Sequence, residues 1–121
     1  IPYTTIIYAI QAQIRRAFIN IINNAISYAS AINITVYEKK SSIIILIDDN
    51  GKGIKKEERQ KVFEPFYKTD KSRNKSKYRG SGLGLAIAKE IILKNGGLIR
   101  LGENINSDSG LRVIIRFPRP K

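Results

Sequence analysis

Five consecutive aliphatic residues, Ile43-Ile44-Ile45-Leu46-Ile47, run directly into Asp48-Asp49-Asn50-Gly51-Lys52-Gly53. Side chains on a β-strand alternate between two faces, so a segment that is apolar at every position needs cover on both. This run therefore predicts a central strand, and with it a layered domain. It is the longest aliphatic run in the chain and falls far short of the roughly 20 residues a membrane-spanning helix requires. The N-terminus also lacks the basic-then-apolar plan of a signal peptide.

The surrounding pattern supplies the other layers. From about Gln11 to Ala29 the apolar spacing is helical. Stepping 100° per residue from Ile14 puts Ala17, Phe18, Ile21, Ile22, Ala25, Ile26 and Tyr28 in one broad arc. Arg16, Asn20, Asn23, Asn24 and Ser27 share the narrow remainder, so the helix is expected to be mostly buried with a thin polar stripe. Ile32, Ile34 and Val36 alternate with Asn33, Thr35 and Tyr37, which predicts a half-buried strand. A weaker pattern suggests a short strand at Thr4–Tyr8. A short charged helix is expected around Lys56–Val62, ending before Pro65. A further helix opens after Gly80–Gly84, with Ile87, Ile91 and Ile92 on its buried side, and stops at Asn95-Gly96-Gly97. Leu98–Leu101 and Leu111–Phe117 read as two final strands. Helix, hairpin, helix, loop, helix, hairpin describes an α+β chain: a two-layer α/β sandwich with a mixed, largely antiparallel sheet. At 121 residues it is the size of one domain.

Composition removes several chemistries. The chain has no cysteine, hence no disulfide or thiolate site, which fits a reducing compartment. It has no histidine, hence no Ser-His triad, no HExxH zinc site and no self-phosphorylated histidine. The net charge of +12 raises the possibility of a polyanionic partner. Six of the cations (Lys68, Lys71, Arg73, Lys75, Lys77, Arg79) are gathered against Asp70 alone in one polar loop. A loop of that length in a compact domain is usually functional or mobile, the alternative being a solvated surface loop with no role. A nucleic-acid module would interleave aromatics with such cations to stack bases, and only Tyr78 does so here.

Three features could carry chemistry. Asn20 and Asn24, spaced i and i+4, lie on one helix face although asparagine is a poor helix former. The pair could be a solvated face, or its amide oxygens could serve Mg²⁺ and its amide donors a phosphate. Asp49 ends the central strand and is followed by Gly51 and Gly53. This is good turn material. A turn is the simpler reading of the segment alone; the other is an acceptor-only carboxylate suited to an exocyclic amine, which adenine has and guanine replaces with a carbonyl. Gly80-Ser81-Gly82-Leu83-Gly84 opens a helix, where exposed backbone N–H groups favour negative charge. It is neither a Walker P-loop nor a Rossmann fingerprint. The neighbouring basic loop, with Lys68 and Arg73, strengthens the phosphate reading. Together the three features supply the parts to hold ATP and magnesium.

The same motifs resemble those of sensor histidine kinases. Asn20-x-x-x-Asn24-Ala25-x-x-Tyr28 is similar to their N box, Asp49-Asn50-Gly51-Lys52-Gly53-Ile54 to the first glycine box, Phe63-Glu64-Pro65-Phe66-Tyr67 to the F box, and Gly80-Ser81-Gly82-Leu83-Gly84-Leu85 to the second glycine box. The resemblance implies the Bergerat ATP-binding fold, shared with gyrase, a class of heat-shock chaperones and mismatch-repair ATPases, with a flexible ATP lid. It implies Mg²⁺ on Asn24, with Asn20 near metal and phosphates, adenine on Asp49, and Tyr28 beside the nucleotide. Lys68 and Arg73 would belong to the lid, and Phe63 and Phe66 would couple it to partner helices. The γ-phosphate would go to a histidine on a separate dimerisation domain, a response regulator being served indirectly. The domain would be cytoplasmic and monomeric in isolation and its parent protein homodimeric; most of the family is anchored in a membrane. A non-kinase ATPase or nucleotide-binding pseudokinase of the same fold is the alternative. Two departures stand out. Ser27 occupies a position usually basic in these kinases, so either Arg16, Lys68 or a lid residue compensates or nucleotide affinity is lower. Asn23 stands where hydrolysing relatives carry a glutamate, and an amide is a very poor general base.

Overall fold

The computed structural model describes residues 11–65, 84–105 and 109–119. The possible strand at Thr4–Tyr8, the basic loop and Gly80–Leu83 lie outside them. The described chain runs α1 (Gln11–Tyr28), β1 (Ile32–Glu38), β2 (Ser42–Asp49), two 3₁₀ turns (Lys56–Glu58 and Lys61–Phe63), α2 (Gly84–Lys94), β3 (Leu98–Glu103) and β4 (Leu111–Pro118).

The sheet order is β1-β2-β4-β3, and every pairing among the described residues is antiparallel. β2 is central, as its unbroken apolar run requires. On one face Ile47, Leu101, Val113, Ile115 and Phe117 are buried and meet the helical layer in a common core with Ala17, Ile21, Ala88 and Ile92. The opposite face holds Leu46 together with Asp48 and Arg112, which sit directly across from each other on β2 and β4. The hydrogen bond to Asp48 holds the Arg112 guanidinium above its already high ordinary pKa, so the guanidinium stays charged.

The helices pack through small residues. Ala17 and Ala88 have no exposed surface, and a Cβ at Gly84 would lie 4.0 Å from both the Cβ and the carbonyl oxygen of Asn20. At the other end Asn95 Nδ2 donates to Gln13 Oε1 at 3.0 Å. These two ends make α1 and α2 antiparallel. α2 closes as its glycines predict: Gly96 takes φ +83°, its N–H donates to the Leu93 carbonyl, and Gly97 N–H donates to that of Ile92.

Three expectations are corrected. α1 is not mostly buried: Ala17, Ile21 and Ala25 form a narrow buried line, while Ile19 and Ile26 are 49% and 59% exposed. One neighbouring helix and a sheet cover less of the cylinder than its broad apolar arc. Ile34, on the core-facing side of β1, is half exposed because β1 is an edge strand. The expected helix at Lys56–Val62 is instead two 3₁₀ turns. That stretch has no apolar residues at helical spacing, only the adjacent Val62 and Phe63, which insert into the core. Arg59 braces the first turn by donating from Nε to the Ile54 carbonyl at 3.0 Å.

Candidate functional site

β2 ends in a carboxylate that the sheet itself grips. Asp49 is 5% exposed. Its Oδ1 accepts from the Gly51 N–H at 2.9 Å and from the Leu111 N–H at 3.1 Å. Its main-chain carbonyl accepts from Asn104 Nδ2 at 2.8 Å. Among the described residues nothing bonds Oδ2 and no cation pairs with the carboxylate. One oxygen is thus anchored by two backbone donors while the other remains an acceptor-only group at the rim of the core. A carboxylate oxygen held in this way could accept a charge-assisted hydrogen bond from an N–H group, the stronger kind.

The loop beyond Asp49 is shaped by close backbone contact. Gly53 takes φ +75°, and a Cβ on it would come within 3.2 Å of the Gly110 carbonyl oxygen. Gly110, at φ +128°, lies against the Asp49 carbonyl itself. Asn50 ties this loop to the end of α1. Its Oδ1 accepts from the N–H groups of Ser30 (2.9 Å) and Ala31 (3.0 Å), and its Nδ2 donates to Ser30 Oγ at 3.0 Å. Asn50→Ala removes all three bonds at an exposed position and should lower stability by about 1 kcal/mol. A thermal melt and faster hydrogen exchange at the Ser30 and Ala31 amides check it; unchanged exchange would show that the tie is not needed.

α1 brings the asparagines to this region. Asn20 and Asn24 lie half-buried on the flank of the helix, while Asn23 is exposed. Asn20 lies beside Gly84, the first residue of α2. Because the helices are antiparallel, the electropositive N-terminus of α2 points along α1 toward Asn24 and the Asn50 tie. Asn24 lies about 6 Å along the axis from both Asn20 and Tyr28. One end of α1 therefore links the amide flank, the start of α2 and the Asp49 loop. Of the expected site residues the structure describes Asn20, Asn24, Asp49, Gly51, Gly53 and Gly84, and the backbone of Tyr28. Lys68, Arg73, Gly80, Ser81, Gly82 and Leu83 lie outside the described residues, as do Phe66 and the Tyr28 side chain.

Ser27 offers no cation and turns back on its own helix, Oγ donating to the Asn23 carbonyl at 2.9 Å. Arg16 lines a cavity of about 380 Å³ between α1 and α2 with Gln13, Ile87, Glu90 and Lys94, on the side toward the end of α2. Phe63 is buried, with Lys89 Nζ 5.0 Å from its ring centre. Among the described residues no cluster of three or more acidic side chains could hold a metal alone. Asn24, a half-buried residue, offers an amide oxygen, a kind of ligand that Mg²⁺ accepts alongside water. Asn104, Gly110 and Leu111 were not expected from the sequence as supports of the site; only Gly110, as a glycine before a strand, gave a local signal.

Residues 9–121 match the family model described as histidine kinase-, DNA gyrase B-, and HSP90-like ATPase. The chain belongs to this ATPase family. Within it, the chain is a catalytic ATP-binding domain of the histidine-kinase type. It is 39% identical over 105 residues to the signal transduction histidine-protein kinase ArlS of Staphylococcus aureus. That match covers 84% of this chain and 23% of the relative, so the chain spans about a quarter of that protein's length. The mycobacterial sensor histidine kinase MprB superposes with a TM-score of 0.80 at 30% identity, over 93% of this chain and 75% of that one. The ATP-binding domain of PrrB from Mycobacterium tuberculosis does so at 0.77 and 31%, over 100% and 78%. Among the described residues no helix is long and apolar enough to cross a membrane.

Proposed function

We propose that this ATPase-family domain binds ATP with Mg²⁺ and presents the γ-phosphate to a histidine on a separate dimerisation domain, as one catalytic unit of a two-component signalling protein. The observation that carries the reading is the carboxylate of Asp49, with Oδ1 held by two backbone amides and Oδ2 left as an acceptor. Oδ2 accepts from the exocyclic amine of adenine. Gly51 and Gly53 let the main chain pass close to the base. Asn24 holds the magnesium, with Asn20 beside it. The metal, when bound, neutralises charge on the phosphates. The N-terminus of α2 and the glycine turn before it bind the phosphates, and Tyr28 packs beside the nucleotide.

The chain contains no histidine, so the nucleophile comes from another domain. No residue of α1 supplies a general base for water at the position of Asn23, which favours transfer over hydrolysis. Lys68 and Arg73 close over the γ-phosphate from the basic loop. The domain works in the cytoplasm and is monomeric alone. Its parent is a homodimer that serves a response regulator.

The experiment is phosphotransfer in trans. The chain is incubated with γ-labelled ATP, Mg²⁺ and a separate histidine-containing dimerisation domain. Label should appear on the added domain, not on this chain, and only with Mg²⁺ present. ATP binding without transfer to any such domain would defeat the kinase reading in favour of a nucleotide-binding pseudokinase. Rapid release of inorganic phosphate without an acceptor would favour an ATPase.

A further inference from the structure

On the sheet face turned away from the helices, Asp48 and Arg112 form a buried, two-pronged pair. Arg112 Nε donates to Asp48 Oδ1 at 2.7 Å and Nη2 to Oδ2 at 3.0 Å. The side chains are 4% and 16% exposed. They are directly opposed in register and form the last rung of the β2–β4 ladder. One residue further on, strand pairing gives way to the site. The Leu111 N–H donates to the carboxylate of Asp49, and the Asp49 carbonyl is taken by the side chain of Asn104.

Each member of the ion pair is the chain neighbour of a member of the carboxylate contact. Asp48 precedes Asp49, and Arg112 follows Leu111. Successive residues on a strand face opposite ways, so the pair fixes the rung from the face turned away from the helices while Asp49 faces the other way. A slip of one residue would turn Asp49 away altogether. A buried ion pair is weak evidence for stability, because desolvation offsets much of the attraction. A bidentate guanidinium–carboxylate pair adds geometric specificity, which a hydrophobic pair of similar size lacks.

We infer that Asp48 and Arg112 are positioning residues for purine recognition: their fork holds the Leu111 N–H where it must be to orient the Asp49 carboxylate. The inference rests on the reading of Asp49 as the acceptor for the base.

The test removes both partners together, because removing one would strand a buried charge and could unfold the chain. The double variant Asp48→Thr, Arg112→Thr keeps two strand-compatible residues face to face. Binding of ATP, GTP and inorganic tripolyphosphate, each with Mg²⁺, is measured by calorimetry, and the Leu111 amide proton by NMR. The preference for ATP over GTP should fall about tenfold, the order of one charge-assisted hydrogen bond. Tripolyphosphate binding should stay unchanged, and the Leu111 amide proton should shift upfield. Exchanging the charges, Asp48→Arg with Arg112→Asp, should recover much of the preference. A folded double variant that keeps the ATP preference overturns the inference. So does one in which ATP, GTP and tripolyphosphate weaken in parallel, as general loosening would produce. If Asp49→Asn itself leaves the preference intact, the base-acceptor reading has failed, and the positioning inference, which rests on it, is overturned with it.

Discussion

Asp49→Asn should invert the nucleotide preference, not merely weaken it. Asparagine is nearly isosteric with aspartate, but its two terminal atoms are no longer equivalent. The Gly51 and Leu111 N–H groups both donate to one terminal oxygen. In the variant only the amide oxygen can take that place, which turns the NH₂ group to where Oδ2 stood. A donor there opposes the adenine amine and complements the carbonyl that guanine carries at the same position. Loss of a charge-assisted hydrogen bond amounts to about 1.5–3 kcal/mol, so ATP affinity should fall roughly ten- to a hundredfold. GTP, disfavoured by the wild-type carboxylate, should bind the variant better than it binds the wild type. Calorimetric titration of both nucleotides against both proteins provides the four constants. Equal ATP and GTP affinities in wild type and variant alike would remove Asp49 from base recognition.

What made this residue visible in the sequence is local. A fully apolar run has to be a central strand, and a carboxylate that ends such a run needs hydrogen-bond donors supplied to it. Helix ends were legible for similar reasons, since Asn95-Gly96-Gly97 carries its own stop signal and closes α2 through bonds within six residues. Patterns that depend on how much of an element is covered were not legible. Ile26 and Ile34 obey the apolar periodicity and still face solvent. Periodicity records which residues share a face, not how wide the covering layer is. The two 3₁₀ turns were missed because charge alone suggested a helix, whereas Val62 and Phe63, adjacent in sequence, anchor only a tight turn. The supports of Asp49 were hidden by distance. Asn104 and Leu111 lie 55 and 62 residues away along the chain. Nothing in an isolated Asn-Ile or Gly-Leu pair announces a partner that only strand pairing delivers.

Gly110→Ala should be the most damaging single substitution near the site. Gly110 adopts φ +128°, a conformation that L side chains rarely reach. A Cβ placed there would overlap the Asp49 carbonyl oxygen and lie 2.9 Å from its carbon and 3.2 Å from the Asn50 Cα. All three are backbone atoms, so no side-chain rotation can relieve the overlap. The start of β4 would have to move away. That movement breaks the Leu111 bond to the carboxylate and the 3.3 Å bond from the Asn104 N–H to the Gly110 carbonyl. Backbone strain and steric overlap together should destabilise the chain by about 3 kcal/mol or more. For a domain of this size that lowers the melting temperature by roughly 10 °C. Gly96→Ala separates the two contributions. Gly96 also has positive φ, but a Cβ there meets nothing within 4 Å, so that variant carries strain alone, about 1 kcal/mol. Its ATP affinity should match the wild type. Gly110→Ala should lose ATP affinity even at temperatures where circular dichroism reports a folded chain, because the atoms that must yield are those that orient Asp49. Matching melting temperatures and matching ATP affinities for the two alanine variants would show that the contact between the β4 turn and the end of β2 does not hold the carboxylate in place.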